Sequence, residues 1–223
     1  MIPSKPVLRA VVFDLDGTLL NCPYDFKAMR EAVLEIASAH GLAKDELAGM
    51  GILEAITRGE GLLSGEAARG FRKVADEAVL KVELAGAERS VPLDGAKDVL
   101  GWLKGKGISV GIITRNSRKI VRPLLQKAEF AFDALLARED VLRVKPDPLH
   151  LREMLRLLNA GPEEALMVGD HIWDMACAKA AGLESVGITG GASTRDALVQ
   201  AGAVAVLERI GRLPEWLLSK DRS

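Results

Sequence analysis

The feature that most constrains this chain is a short apolar run, Leu8–Phe13, broken only by Arg9 and ending abruptly in Asp14-Leu15-Asp16-Gly17-Thr18. Consecutive apolar residues that run straight into charge read as a strand buried on both faces, the kind found inside a parallel sheet. Asp14 and Asp16 then stand at the carboxyl end of that strand, where open α/β sheets bind their ligands. Two carboxylates at i and i+2 followed by glycine are poor core material. They suit a divalent cation and a division of acid and base duties between two groups. The competing reading is a strand-to-loop turn with solvated acids.

The rest of the chain supports the first reading. After Leu20 the strand signal disappears. Phe26, Met29, Val33, Leu34, Ile36 and Ala37 recur at helical spacing, and Gly41 closes that helix. A second helix is expected from about Asp45 to Thr57, then a loop at Arg58-Gly59-Glu60-Gly61. A third helix is expected after Ser64 to about Ala85, with Gly70 as a flaw in it. From Val91 onward helices and strands alternate. Helices are expected at Ala96–Lys104, Arg118–Ala128, Leu149–Leu158, Ile172–Ala181 and Thr194–Ala201. Strands are expected at Ile108–Ile113, Phe132–Leu136, Ala165–Val168 and Ser185–Ile188, with an edge strand at Ala203–Leu207. Ser219–Ser223 reads as a frayed end. The alternation implies a doubly wound, Rossmann-like α/β core with a parallel sheet. The expected division is a core domain of residues 1–20 and 90–223, interrupted by a helical domain of residues 21–89.

Composition narrows the partners. With 30 basic and 31 acidic residues the net charge is −1, so no global field draws in nucleic acid or a membrane surface. Met1–Pro6 is too short and polar for a signal peptide, and no apolar run is long enough to span a bilayer. Cys22 and Cys177 lie far apart and form no metal-binding spacing. A cytoplasmic protein, monomeric or weakly dimeric, is expected, acting on a small molecule with no nucleic acid or membrane partner.

Polar residues collect just past the expected strand ends: Asp14, Asp16 and Thr18, then Thr114 and Asn116, then Asp170 and Asp174, with Lys145 in a loop before its helix. In a parallel sheet these converge on one edge, and the set suits phosphoryl transfer. Asp14, Asp16 and Asp170 supply oxygen ligands for Mg²⁺. Lys145 adds a fixed positive charge, and Thr114 and Asn116 add hydrogen-bond donors for phosphate oxygens. Arg115, between those two, faces either substrate or solvent and is counted with them. Asp14 can attack phosphorus, and Asp16 can protonate the leaving oxygen and then activate water.

Four segments carry a resemblance: Asp14-Leu15-Asp16-Gly17-Thr18, Ile113-Thr114-Arg115-Asn116, Val144-Lys145-Pro146-Asp147-Pro148 and Val168-Gly169-Asp170-His171-Ile172-Trp173-Asp174. Together and in this order the chain resembles the haloacid dehalogenase (HAD) superfamily, in particular its phosphoglycolate phosphatase-like members. The resemblance implies Asp14 as nucleophile and metal ligand, and Asp16 as general acid/base with its backbone carbonyl on Mg²⁺. It implies Thr114 and Lys145 as phosphate binders, Asp170 as a further metal ligand, and Asp174 as an anchor for Lys145 or for water at the metal. The helical insert resembles the family's cap, which closes over the site. Dehalogenases and phosphonatases of the family lack the second aspartate, so Asp16 points to phosphate esters. A phosphomutase of the same family and a non-catalytic phospholigand-binding module are the alternatives; Arg58, Arg69 and Arg72 leave the first open. Gly190-Gly191-Ala192-Ser193-Thr194 is read as a left-handed turn into a helix rather than a phosphate loop.

Overall fold

The computed structural model describes residues 7–220. The expectations for Met1–Pro6 and for the last three residues of the frayed end lie outside them. In chain order the strands are β1 (Ala10–Phe13), β2 (Leu20–Asn21), β3 (Val91–Pro92), β4 (Ser109–Ile113), β5 (Ala134–Leu136), β6 (Ala165–Gly169), β7 (Glu184–Ile188) and β8 (Ala205–Leu207). The helices are α1 (Phe26–Ala39), α2 (Ile52–Leu62), α3 (Gly65–Ala87), α4 (Ala96–Gly105), α5 (Arg118–Ala128), α6 (Leu149–Leu158), α7 (Ile172–Ala181), α8 (Arg195–Gln200) and α9 (Leu213–Lys220). The chain divides into two compact units, the described part of Met1–Cys22 with Ser90–Ser223, and Pro23–Arg89.

The first unit is a six-stranded sheet in the order β5-β4-β1-β6-β7-β8, every pairing parallel. β1 lies at its centre between β4 and β6, and all four of its residues are fully buried, as its unbroken apolar run requires. From β1 the chain winds outward through β4 to β5, then crosses back to β6 and winds the other way. The reversal creates a crevice at the carboxyl ends of β1 and its neighbours, which is where such sheets bind ligands. Beneath one face, α6 and α7 close a core of Val12, Ile113, Leu151, Met154, Met167, Cys177 and Ala178. That interior is almost wholly aliphatic, in keeping with 4% aromatic residues.

Three local differences from the sequence reading have physical causes. β5 begins two residues later than expected: the Asp133 N–H donates to the Val110 carbonyl at 2.8 Å, but the Val110 N–H donates to the Asp133 carboxylate at 2.7 Å, where a strand would offer a backbone carbonyl. A final helix, α9, was not anticipated; its turns bury Leu213 and Leu217, and Ser219 belongs to it. The ribbon of β2 and β3, which pairs Leu20 with Pro92 and Asn21 with Val91, is too short to leave a periodic signal.

The second unit is three helices packed on one another. Here the second expected helix is displaced. Lys44–Glu46 is a single 3₁₀ turn, and α2 starts only at Ile52 but continues through Arg58-Gly59-Glu60-Gly61, which was expected to be a loop. Gly59 is a close-packing residue rather than a break. A Cβ there would sit 2.6 Å from the ring of Phe71, which is completely buried on α3. Gly70 faces open space, so it adds only the ordinary backbone-entropy cost of glycine in a helix. Arg72 ties α3 to α2, bonding Asp76 at 2.7 Å and Glu60 at 3.0 Å.

These two glycines should respond oppositely to added bulk. Gly59→Val is expected to destabilise the protein by about 1–3 kcal/mol through overpacking. Gly70→Ala is expected to stabilise it by about 0.5–1 kcal/mol. Urea unfolding of both variants measures the contrast, and equal effects would refute the packing role of Gly59.

Candidate active site

The site is built where β1, β4 and β6 end. The Asp14 N–H still donates to the Val168 carbonyl at 2.9 Å, so the sheet ladder fixes the backbone of the first carboxylate. The chain then reverses within five residues: the Gly17 N–H donates to the Leu20 carbonyl, and those of Leu19 and Leu20 donate to that of Leu15. Gly17 adopts φ +79°, a left-handed conformation that glycine reaches without strain.

Lys145 is the centre of the charge arrangement. It is 2% exposed, and its Nζ stands 2.6 Å from Asp14 Oδ1 and 2.6 Å from Asp174 Oδ1. Asp174, in the first turn of α7, is also fully buried, and its other oxygen accepts the His171 N–H at 3.0 Å. Asp170, directly after β6, is gripped from three sides. Thr18 Oγ1 lies 3.3 Å from its Oδ1, the Ala192 N–H donates to its Oδ2 at 2.6 Å, and the Ser193 N–H donates to its carbonyl at 3.1 Å. A Cβ on Gly191 would lie 2.0 Å from Asp170 Oδ2, so that loop closes only around glycine. The Gly190–Thr194 segment is the expected left-handed turn, with Gly190 at φ +92° and Thr194 capping α8, but it also holds Asp170 in place.

Asp14, Asp170 and Asp174 each offer a carboxylate oxygen, and the three lie within 4.8 Å of one another. Asp16 is placed differently. Its Oδ2 accepts from Asn116 Nδ2 at 2.6 Å, and its side chain lies outside that trio. The resemblance assigned the metal only its backbone carbonyl. Thr114, fully buried, accepts the Asn116 N–H on its hydroxyl at 3.1 Å, which leaves the hydroxyl hydrogen for a donor role. Arg115 lays its guanidinium over the Trp173 ring, 4.1 Å from the centroid, a cation–π contact that orients it. His171 caps α7: its Nδ1 accepts the Trp173 N–H at 3.0 Å.

The electrostatics follow from three buried carboxylates and one ammonium. Burial alone would lower the Lys145 pKa, but the charges of Asp14 and then Asp174 outweigh it and hold the ammonium above its ordinary range. Burial, and then the neighbouring Asp14 charge, pushes Asp170 up to about 8. Burial pushes Asp174 up to about 6, with Lys145 opposing. The excess of negative charge, together with an all-oxygen donor set lacking thiolate or imidazole, fits a hard divalent cation such as Mg²⁺.

Two participants carried no signal that the sequence reading used. Trp173 is the ring beneath Arg115. His150, fully buried in the first turn of α6, bonds the Lys145 backbone. A histidine five residues after the lysine of Lys-Pro, and an aromatic residue beside Gly-Asp-His, were the available hints.

The sequence model of the haloacid dehalogenase-like hydrolases matches residues 8–182. A phosphoglycolate phosphatase of Rhodospirillum rubrum is 32% identical over 94% of this chain and 90% of its own length. A phosphoglycolate phosphatase of Neisseria gonorrhoeae is 33% identical, over 93% and 91%. Among solved structures, a haloacid dehalogenase-like hydrolase of Bacteroides fragilis superposes with a TM-score of 0.70 at 25% identity, over 92% of this chain and 99% of the other. The family match over most of the chain, the parallel sheet and the aspartates at its carboxyl edge agree, and the chain belongs to the haloacid dehalogenase-like hydrolases.

Proposed function

We propose that this hydrolase is a Mg²⁺-dependent phosphatase that cleaves a small phosphate monoester through an aspartyl-phosphate on Asp14. The observation that carries the reading is the contact of Lys145 with both Asp14 and Asp174, beside Asp170 and next to an Asp16 held by Asn116. The similarity to phosphoglycolate phosphatases makes 2-phosphoglycolate the first ester to test.

In this mechanism the Asp14 carboxylate attacks phosphorus as the bond to the leaving oxygen breaks, and Asp16 gives that oxygen its proton. Water then attacks the phosphorus, Asp16 takes a proton from it, and the bond to Asp14 breaks to release phosphate. The Asp16–Asn116 hydrogen bond aims the acid/base group, whose side chain lies outside the carboxylate trio. Lys145 stays charged throughout and stabilises the anionic phosphoryl oxygens. The Thr114 hydroxyl, the Asn116 amide and the Arg115 guanidinium are assigned to the phosphate. Asp14, Asp170 and the Asp16 carbonyl would hold Mg²⁺, which when bound neutralises charge between carboxylate and phosphate. Asp174 acts through Lys145.

The mutase reading needs cap cations for a second phosphate; Arg72 is engaged by Asp76 and Glu60, which leaves Arg58 and Arg69 for that role. Among the described residues no helix is long and apolar enough to cross a membrane, and neither Cys22 nor Cys177 is in a disulfide. A cytoplasmic location, a small-molecule substrate and a monomer or weak homodimer belong to the same proposal.

Hydrolysis of a phosphate-ester panel with Mg²⁺ tests the reading. Asp14→Asn is expected to fall to background, and Asp16→Asn to lose about 10²–10⁴-fold in kcat. Activity of Asp14→Asn equal to wild type would sink it. The raised pKa of Asp170 gives a second check. Metal-free Asp170 holds a proton below about pH 8 and must release it to bind a cation. Mg²⁺ affinity by calorimetry should therefore climb with pH toward 8 and level off above, with proton release at pH 7. A flat profile would contradict the assignment of Asp170.

A further inference from the structure

His150 is a fully buried titratable side chain that the proposed chemistry does not use. Both its ring nitrogens are engaged. Nδ1 lies 3.3 Å from the Lys145 backbone nitrogen, and Nε2 lies 3.2 Å from the Leu136 carbonyl oxygen. A backbone N–H can only donate and a carbonyl can only accept, so one tautomer satisfies both contacts: Nδ1 bare, Nε2 carrying hydrogen. The imidazole thus bridges the last residue of β5 to the backbone of Lys145. Lys145 sits in the loop before α6, outside any sheet ladder, and no other polar contact to its backbone is seen among the described residues.

We propose that His150 is a positioning residue for the reaction: its bridge from Leu136 to the Lys145 N–H determines where the Lys145 ammonium meets Asp14 and Asp174. The sheet holds Asp14, and the first turn of α7 holds Asp174. The third member of the group therefore needs its own anchor to the same framework, and a rigid ring between β5 and the loop supplies one. Burial, and then the Lys145 charge, push the His150 pKa down to about 4, so the ring stays neutral and keeps accepting at physiological pH.

The inference rests on the phosphatase reading for its kinetic consequence but not for the bridge itself, and two measurements separate them. Two-bond ¹H–¹⁵N correlation spectra of the wild type read the tautomer directly. Hydrogen on Nε2 is expected, and hydrogen on Nδ1 overturns the proposal whatever the enzyme hydrolyses. The second measurement compares variants that each keep one contact. His150→Asn retains an acceptor for the Lys145 N–H, whereas His150→Gln retains a donor for Leu136. With matched thermal unfolding, the glutamine variant is expected to lose roughly 10- to 100-fold in kcat with KM little changed, the scale of a small misplacement of a catalytic group. The asparagine variant should recover part of that loss, because it keeps the acceptor for the Lys145 N–H but not the anchor to Leu136. A glutamine variant as active as the asparagine one would overturn the positioning role. If neither variant folds, the wild-type tautomer decides. A wild type inert toward every ester, with hydrogen on Nε2, would count against the phosphatase reading and leave the bridge standing.

Discussion

The buried contact of Lys145 with Asp14 and Asp174 is the constraint on which the site depends. An ammonium and two carboxylates removed from water cost more in lost hydration than a simple pair recovers, unless the geometry is tight and the remaining oxygens are bonded. Here the two contacts are 2.6 Å long, and the second oxygen of Asp174 takes a backbone N–H. Removing one partner from a group of this kind leaves an unpaired buried charge, typically a loss of about 3–5 kcal/mol. The arrangement therefore holds only if β1, the Lys145 loop and α7 keep their mutual positions.

Asp170 shows the other side of the same electrostatics. It has no cationic partner at salt-bridge distance among the described residues, and its bonds come from a threonine hydroxyl and backbone amides. Without a cation it tends to hold its proton. A divalent cation bound there would supply the opposing charge and release that proton. The packing of the Gly17 and Gly191 loops around Asp170 fixes the carboxylate in advance, so little order remains to be imposed on binding.

Legibility followed the length scale of each signal. β1 was readable because full burial on both faces leaves an unbroken apolar run, and α5, α6 and α7 because their apolar stripes recur over several turns. The ribbon of β2 and β3 and the delayed start of β5 were not, since two or three residues carry no period. Gly59 misled for a physical reason: glycine in sequence signals either a turn or a close approach, and only the position of Phe71 distinguishes them. Asp14, Asp16, Thr114 and Asp170 were legible as a set because strand ends in a parallel sheet all face one edge, and Lys145, in a loop before its helix, was legible from Lys-Pro. His150 and Trp173 were not, because each acts through one neighbour whose position depends on the completed fold.

The amino-acid sequence by itself determined the class of fold, the βα alternation of the core and the chemical types gathered at its strand ends, because these follow from local periodicity. Only the tertiary structure decided how those groups pair. It joined Lys145 to Asp14 and Asp174, bound Asp16 to Asn116, set Asp174 rather than the Asp16 side chain beside Asp14 and Asp170, and placed His150 behind Lys145. Such pairings depend on distances of a few ångströms between residues far apart in the chain, and no local pattern encodes them.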